Sequence, residues 1–236
     1  TSIRLIRAKP IIDMAVAVDR FEDLIPLLPE MEKAGFIHRP ENDNEWQRYF
    51  SCNGERADIR THHIHVVLTG SKEWQDYINF RDFLNTHPET ARAYEQMKLR
   101  LMQQYKDDRN AYTEGKAAFI QRILYKARLW RMLGCMVTVH VDRPMGTVHP
   151  SYPDMLYPLN YGYLEEITAP DGEGQDVYVL GVDKPVRECV GRVVALIHRR
   201  NDAEDKVVVA PDGYDPTRQE IEQAVAFQER WFDIDI

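Results

Sequence analysis

The sequence predicts an α+β protein of two domains, residues 1–133 and 134–236. Two observations carry that expectation. Apolar residues recur at helical spacing from Lys72 to Arg131, and past Leu133-Gly134 they alternate with the two-residue period of strands. Charge divides at the same place: residues 1–133 hold 21 Lys plus Arg against 19 Asp plus Glu, or +2, and residues 134–236 hold 9 against 19, or −10.

Taken in order, Ala8-Lys-Pro-Ile-Ile-Asp-Met-Ala-Val-Ala-Val18 is a nearly continuous apolar run and predicts a buried central strand that carries one acid, Asp13. Phe21, Leu24, Ile25, Leu28 and Met31 follow at helical spacing up to Gly35, with Pro26 and Pro29 predicting a broken or late-starting helix. A short strand is expected around Trp46 to Ser51. Thr61-His-His-Ile-His-Val-Val-Leu68 predicts a strand with His63 and His65 on one face, since side chains two apart point the same way. Two imidazoles so placed suit a metal or a phosphate, or equally a pair of hydrogen-bonded histidines.

Three helices are expected next. Trp74, Tyr77, Ile78 and Leu84 stripe the first; Thr86, Pro88 and Glu89 read as the capped start of the second; Thr113 reads as the opening of the third, which turns Ile120, Ile123, Leu124 and Ala127 inward. The other face of that third helix carries Lys116, Arg122, Lys126, Arg128 and Arg131, as a solvated face does. Beyond Gly134, strands are expected at Val137–Val141, Val177–Val182, Val190–His198 and Lys206–Ala210, short and separated by turns as in a small barrel. Thr217 with Glu220 predicts a capping box on a last helix that turns Ile221, Ala224, Val225 and Phe232 inward.

The stretch with the most chemistry is Asp171-Gly-Glu-Gly-Gln-Asp176. Three carboxylates spaced by two glycines and leading into a strand offer hard oxygen ligands on a loop able to bend around a small cation such as Mg2+. Alone, the same residues read as a solvated acidic turn. The negative charge of this half repels phosphate unless metal ions invert the local potential, and it argues against nucleic acid as a partner. No apolar run is long enough to span a bilayer and no signal segment opens the chain, so a cytoplasmic protein without a membrane partner is expected. Cys52, Cys135 and Cys189 are odd in number and far apart, which predicts neither a disulfide framework nor a zinc site. A first residue other than Met is expected of a trimmed chain.

Ala8-Lys-Pro-Ile-Ile-Asp13, His62-His-Ile-His-Val66, Asn79-Phe-Arg-Asp-Phe-Leu84, His87-Pro88, Tyr94 with Lys98, and Asp108-Arg-Asn-Ala-Tyr-Thr-Glu-Gly-Lys116 resemble the GrpB family over residues 1 to about 128. The resemblance implies a nucleotidyltransferase-like fold and a nucleotide-related role, with Lys9, Asp13, His63, His65 and Arg81 as candidates for one pocket. The second acid of a nucleotidyltransferase pair, expected two residues after Asp13, is Ala15 here, and of the Gly-Ser-Thr-Ser segment that precedes the Lys-Pro strand only Thr1-Ser2 are present, so nucleotidyl transfer is not expected.

Four blocks of the second half, Val137-Thr-Val-His-Val-Asp-Arg-Pro-Met-Gly146, Tyr157-Pro-Leu-Asn-Tyr-Gly-Tyr163, the acidic loop, and Asn201-Asp-Ala-Glu-Asp-Lys-Val-Val-Val-Ala-Pro211, resemble the family I inorganic pyrophosphatases in the same order. That resemblance implies an OB-like barrel and magnesium-dependent hydrolysis of pyrophosphate or a related phosphoanhydride. It implies metal ligands at Asp171, Glu173, Asp176, Asp202 and Asp205, with Glu173 at the position of the general base and Asp176 beside it in catalysis. Asp142, Tyr161 and Lys206 fall at substrate-contacting positions, and Arg143 and Arg199 are among the cations available where the family carries a longer insert with another Lys and Arg. Glu173-Gly174 replaces the family's Asp-Pro, which lengthens one ligand arm by a methylene. The partner so implied is a small-molecule phosphate; self-association is left open. A transferase centred on the first domain and a non-catalytic scaffold of two degenerate enzyme folds are the competing readings.

Overall fold

In the computed structural model, which describes residues 2–7, 10–53 and 60–236, the chain divides into two units, residues 1–124 and 125–236. The first contains β1 (Ile12–Val18), a 3-10 segment (Phe21–Leu27), α1 (Leu28–Lys33), β2 (Phe36–His38), β3 (Gln47–Asn53), β4 (Arg60–Leu68), α2 (Lys72–Thr86), α3 (Pro88–Gln104) and the start of α4 (Arg109–Met132). Its sheet has the order β1-β4-β3-β2, with β1 parallel to β4 and the other pairs antiparallel. Leu24, Phe50, Ile64 and Val66 form a core over which Met14, Val18, Phe21 and Met31 pack.

Three expectations are corrected here. Among the described residues β1 pairs with β4 alone and so lies at a sheet edge, with Ile12 54% and Val16 41% exposed; an apolar run reports hydrophobicity and carries no signal for a second neighbour. The broken, late-starting helix expected from Pro26 and Pro29 does form, as a 3-10 turn before a six-residue α1, because Pro26 lacks the N–H that a continuous α-helix requires. Thr86 caps nothing on α3. Its hydroxyl donates back to the Asp82 and Phe83 carbonyls and closes α2, while α3 starts on Pro88. Likewise α4 opens four residues before Thr113, where Asp108 Oδ1 accepts from the Ala111 N–H at 2.9 Å.

The second unit contains the end of α4, β5 (Met136–Arg143), β6 (Val148–His149), β7 (Tyr152–Leu156), β8 (Asn160–Thr168), β9 (Gly174–Val179), β10 (Glu188–Arg199), β11 (Lys206–Ala210), α5 (Arg218–Glu229) and β12 (Ile234–Asp235). Five strands close on themselves in the order β5-β8-β9-β11-β10 and back to β5, with β9 and β11 parallel. Two-residue alternation then sorts the side chains. Val139, Val141, Leu164, Val177, Val179, Val207 and Val209 fill the interior, joined by Tyr125 and Leu129 from the last turns of α4. Tyr161, Tyr178 and Val208 point outward and pack under Ile221 and Val225 of α5. The Thr217–Glu220 capping box forms as expected. Among the described residues no helix is long and apolar enough to cross a membrane.

Candidate functional site

Asp142 owes its placement to an irregularity in β5. In the antiparallel pairing with β8, Val141 faces Gly162 and Arg143 faces Tyr161, which leaves Asp142 as the extra residue of a bulge. Bulges re-aim side chains, and here Asp142 lines a cleft of about 500 Å3 together with Arg143, Tyr161, Asp171, Glu173 and Asp176. The two strands approach so closely beside the bulge that a Cβ on Gly162 would lie 2.0 Å from the His140 carbonyl oxygen, so the glycine of Tyr161-Gly-Tyr163 is a steric requirement.

Asn160 holds the turn that follows. It is fully buried; its Oδ1 accepts from the Met145 and Val186 N–H groups at 3.0 and 3.2 Å, and its Nδ2 donates to the Val182 and Lys184 carbonyls at 3.1 and 2.9 Å. One side chain thereby satisfies four backbone groups and ties the Asp142–Gly146 turn to the loop between β9 and β10. This positioning role escaped the sequence reading, although the residue stands in the middle of the Tyr-Pro-Leu-Asn-Tyr-Gly block.

The acidic stretch is not one flexible loop. Asp171 Oδ1 accepts from the Glu173 N–H at 3.0 Å, Gly172 takes φ +94°, and Ala169 N–H donates to the Glu173 carbonyl, a tight turn that ends at Glu173. β9 begins at Gly174, so Asp176 sits in a strand opposite Tyr163, its direction fixed by the ladder. Its carboxylate accepts from Lys206 Nζ and from the Tyr161 hydroxyl. Lys206 is 3% exposed and also donates to Glu204 at 2.8 Å, making a carboxylate–ammonium–carboxylate cluster on the barrel's outer face. Burial, then the charge of Asp176, pushes the Tyr161 hydroxyl well above its ordinary range, so it stays protonated as a donor. Burial raises Asp142, opposed by the neighbouring Arg143 guanidinium 3.3 Å away, and burial raises Glu204 against the pull of Lys206.

Arg199, Asp202 and Asp205 lie outside the cleft lining. Arg199 is buried and donates to both oxygens of Glu229 and to Asp202 at 2.9 Å, with its guanidinium 3.6 Å from the Phe232 ring centre. Burial alone would lower Arg199, but Glu229 outweighs it and the group remains a cation. Asp202 is held low: burial, which acts upward, is outweighed by Arg199 and the Ala203 N–H. Asp205 accepts from His198 Nδ1 at 2.6 Å and from the Arg199 N–H at 3.2 Å. Among the described residues no three His, Cys, Asp or Glu side chains are drawn together as a metal-ligand group. The donor chemistry of the cleft nevertheless suits a hard divalent cation, because four carboxylates and a tyrosine hydroxyl open onto it.

In the first unit, Asp13 and His63 face each other across β1 and β4, and His63 Nδ1 is 3.0 Å from Asp13 Oδ1. His65 stands two residues on, with its Nδ1 donating to Gln47 Oε1 at 2.9 Å; Tyr77 donates to the same oxygen. Burial lowers both histidines, for His63 against the opposing pull of Asp13. Arg81 pairs with Asp82 at 2.7 Å and does not line the cleft that contains Asp13 and His63. Lys9 lies outside the described residues.

Known proteins resemble parts of the chain. Inorganic pyrophosphatases align with part of it at low identity: that of Coxiella burnetii is 19% identical over 41% of this chain and 76% of its own, TM-score 0.32, and that of Ehrlichia chaffeensis is 19% identical over 44% and 85%, TM-score 0.35. The crystal structure of the conserved protein GrpB from Enterococcus faecalis is 30% identical over 55% of this chain and 77% of its own, TM-score 0.48. The UPF0157 protein YqkA of Bacillus subtilis is 34% identical over 131 residues, and this chain spans only 37% of its length. The glutamate-rich protein GrpB of Alkalihalophilus pseudofirmus is 33% identical over 126 residues and 72% of its length. A family model described as GrpB protein matches residues 1–126. Through that first half, the chain belongs to the GrpB family.

Proposed function

We propose that the chain joins a GrpB domain of nucleotidyltransferase-like fold, residues 1–124, to an OB-like barrel, residues 125–236, that hydrolyses inorganic pyrophosphate or a related phosphoanhydride with magnesium; the expected boundary at residue 134 moves back because the last turns of α4 pack in the barrel. The observation that carries this reading is the convergence of Asp142, Asp171, Glu173 and Asp176 with Arg143 and Tyr161 on one cleft. Asp171, Glu173 and Asp176 would hold the cation. Magnesium, when bound, supplies charge neutralisation of the phosphoanhydride oxygens and acidifies water. Glu173, exposed at the end of its turn, takes the proton of the attacking water, and Arg143, whose guanidinium lies 5.4 Å from the Tyr161 ring centre, binds the departing phosphate, while the Tyr161 hydroxyl helps to hold the Asp176 carboxylate. Lys206 is buried between Asp176 and Glu204 and acts by holding the Asp176 carboxylate in place. Asp202 and Asp205 keep to their ion pairs and anchor the turn before β11.

The test is phosphate release from pyrophosphate by the full chain with and without magnesium, with its melting temperature followed against magnesium concentration. Magnesium-dependent release with a rise in melting temperature supports the reading. Neither effect at millimolar magnesium overturns it in favour of the scaffold.

A further inference from the structure

The barrel cleft is rich in groups for a cation and poor in groups for a phosphate. Four carboxylates, Asp142, Asp171, Glu173 and Asp176, line it against one guanidinium, that of Arg143, which already lies 3.3 Å from Asp142. Arg199 and Lys206 are buried in ion pairs of their own. A chain of rings leads from the acids to a further donor. The Tyr161 hydroxyl meets Asp176, the Tyr157 ring lies 5.4 Å from Tyr161, and His149 stacks on Tyr157 at 13° with ring centres 6.0 Å apart. The Arg143 guanidinium also lies 6.0 Å from the Tyr157 ring centre, so Arg143 and His149 are neighbours of one tyrosine.

Two contacts set the His149 ring. Tyr152, paired with it across the β6–β7 hairpin, packs against it with ring centres 4.8 Å apart, and the Ser151 N–H donates to its Nδ1 at 3.1 Å. A ring nitrogen that accepts an amide proton carries none of its own, so the ring hydrogen is on Nε2. That N–H has no partner among the described residues and is not enclosed, since His149 is half-buried and opens onto the cleft. We propose that His149 Nε2–H joins Arg143 in holding the departing phosphate; this rests on the reading of the cleft as a phosphoanhydride site. A hydrogen bond to a phosphate oxygen is charge-assisted even from a neutral donor, so His149 adds affinity without another cation. The phosphate presents the same oxygens before and during reaction, and the loss of a donor that binds both alike appears in KM and leaves kcat near its original value.

The test measures phosphate release from pyrophosphate with magnesium by wild type, H149F and H149Q, and titrates the same three full chains with inorganic phosphate in the presence of magnesium by calorimetry. H149F keeps a ring against Tyr152 and Tyr157 and removes the N–H, whereas H149Q restores a side-chain N–H donor. H149F is expected to raise KM and the phosphate Kd roughly ten- to a hundredfold, the worth of a hydrogen bond to a charged group, with kcat within about threefold of wild type. H149Q is expected to recover most of that affinity, and the magnesium-induced rise in melting temperature to be the same in all three. The titration separates this claim from the hydrolase reading: a wild type that binds phosphate through His149 but releases none from pyrophosphate contradicts hydrolysis and supports the phosphate site. Equal phosphate affinity in wild type and H149F, H149Q as weak as H149F, or no phosphate binding to wild type at about 10 mM would each overturn the proposal.

Discussion

Tyr125→Phe removes one oxygen atom, and the structure gives the consequence a size. The Tyr125 hydroxyl donates to Gln175 Oε1 at 2.7 Å and accepts from the Asp205 N–H at 3.1 Å, in a place where Gln175 is fully buried and Tyr125 is 6% exposed. Phenylalanine fills the same volume, so packing is retained and the loss isolates the hydrogen bonds. Gln175 Nε2 still donates to the Asp205 carbonyl at 2.6 Å, which keeps that side chain from swinging out to water. Gln175 Oε1 and the Asp205 N–H are then buried without partners, each at roughly 1–3 kcal/mol, so a loss of about 3 kcal/mol is expected after partial relaxation. In a unit of about a hundred residues that lowers the melting temperature by more than about 10 °C. Urea unfolding followed by circular dichroism checks it, with Gln175→Leu and the double variant completing a cycle that shows the two losses to be shared. A loss below about 0.5 kcal/mol would refute the reasoning and with it the view that the last turns of α4 belong to the barrel.

Two further outcomes follow from burial. Lys206→Met leaves Asp176 and Glu204 side by side without their cation and should cost about 3 kcal/mol, the low end for breaking a buried pair because Asp176 keeps some solvent; urea unfolding at neutral pH reads it. Because burial lowers the folded pKa of His63 and His65 below the unfolded value of about 6.5, the stability they permit is present above that pH and is lost as pH falls through the lowered values. Melting temperatures of the wild type should therefore drop between about pH 6.5 and 5, and His65→Gln, which retains a polar side chain that does not titrate, should flatten the drop.

Much of the fold was legible because its signals are local. The helical stripes over 72–131, the Thr217–Glu220 box and the Lys206–Ala210 strand rest on period and capping chemistry that a short window contains. β8 was missed as a strand because Tyr161-Gly-Tyr163 breaks apolar alternation with a glycine, and the reason for that glycine, the approach of the His140 carbonyl, is a contact twenty-two residues away. The edge position of β1 was illegible for the same reason, since pairing is not written in the strand itself.

At the candidate site the order of blocks brought Asp142, Arg143, Tyr161, Asp171, Glu173 and Asp176 to one cleft. What no spacing could tell was where charge is already matched. Asp202 and Asp205 look as available in sequence as Asp171, yet Arg199 and His198 hold them, and Arg199 in turn is drawn inward by Glu229, thirty residues on in α5. Glu204, between those two aspartates, went unremarked although it shares Lys206 with Asp176.

The most direct measurement of the proposed chemistry is magnesium-dependent phosphate release from pyrophosphate by wild type, Glu173→Gln and Asp176→Asn, run together with the magnesium-induced rise in melting temperature. With Glu173 as the base and Asp176 as a ligand, Glu173→Gln should lower turnover by roughly two to four orders of magnitude while magnesium still stabilises the protein, and Asp176→Asn should lose both effects. Wild-type release without magnesium dependence, or equal turnover in all three proteins, would contradict the assignment of this cleft.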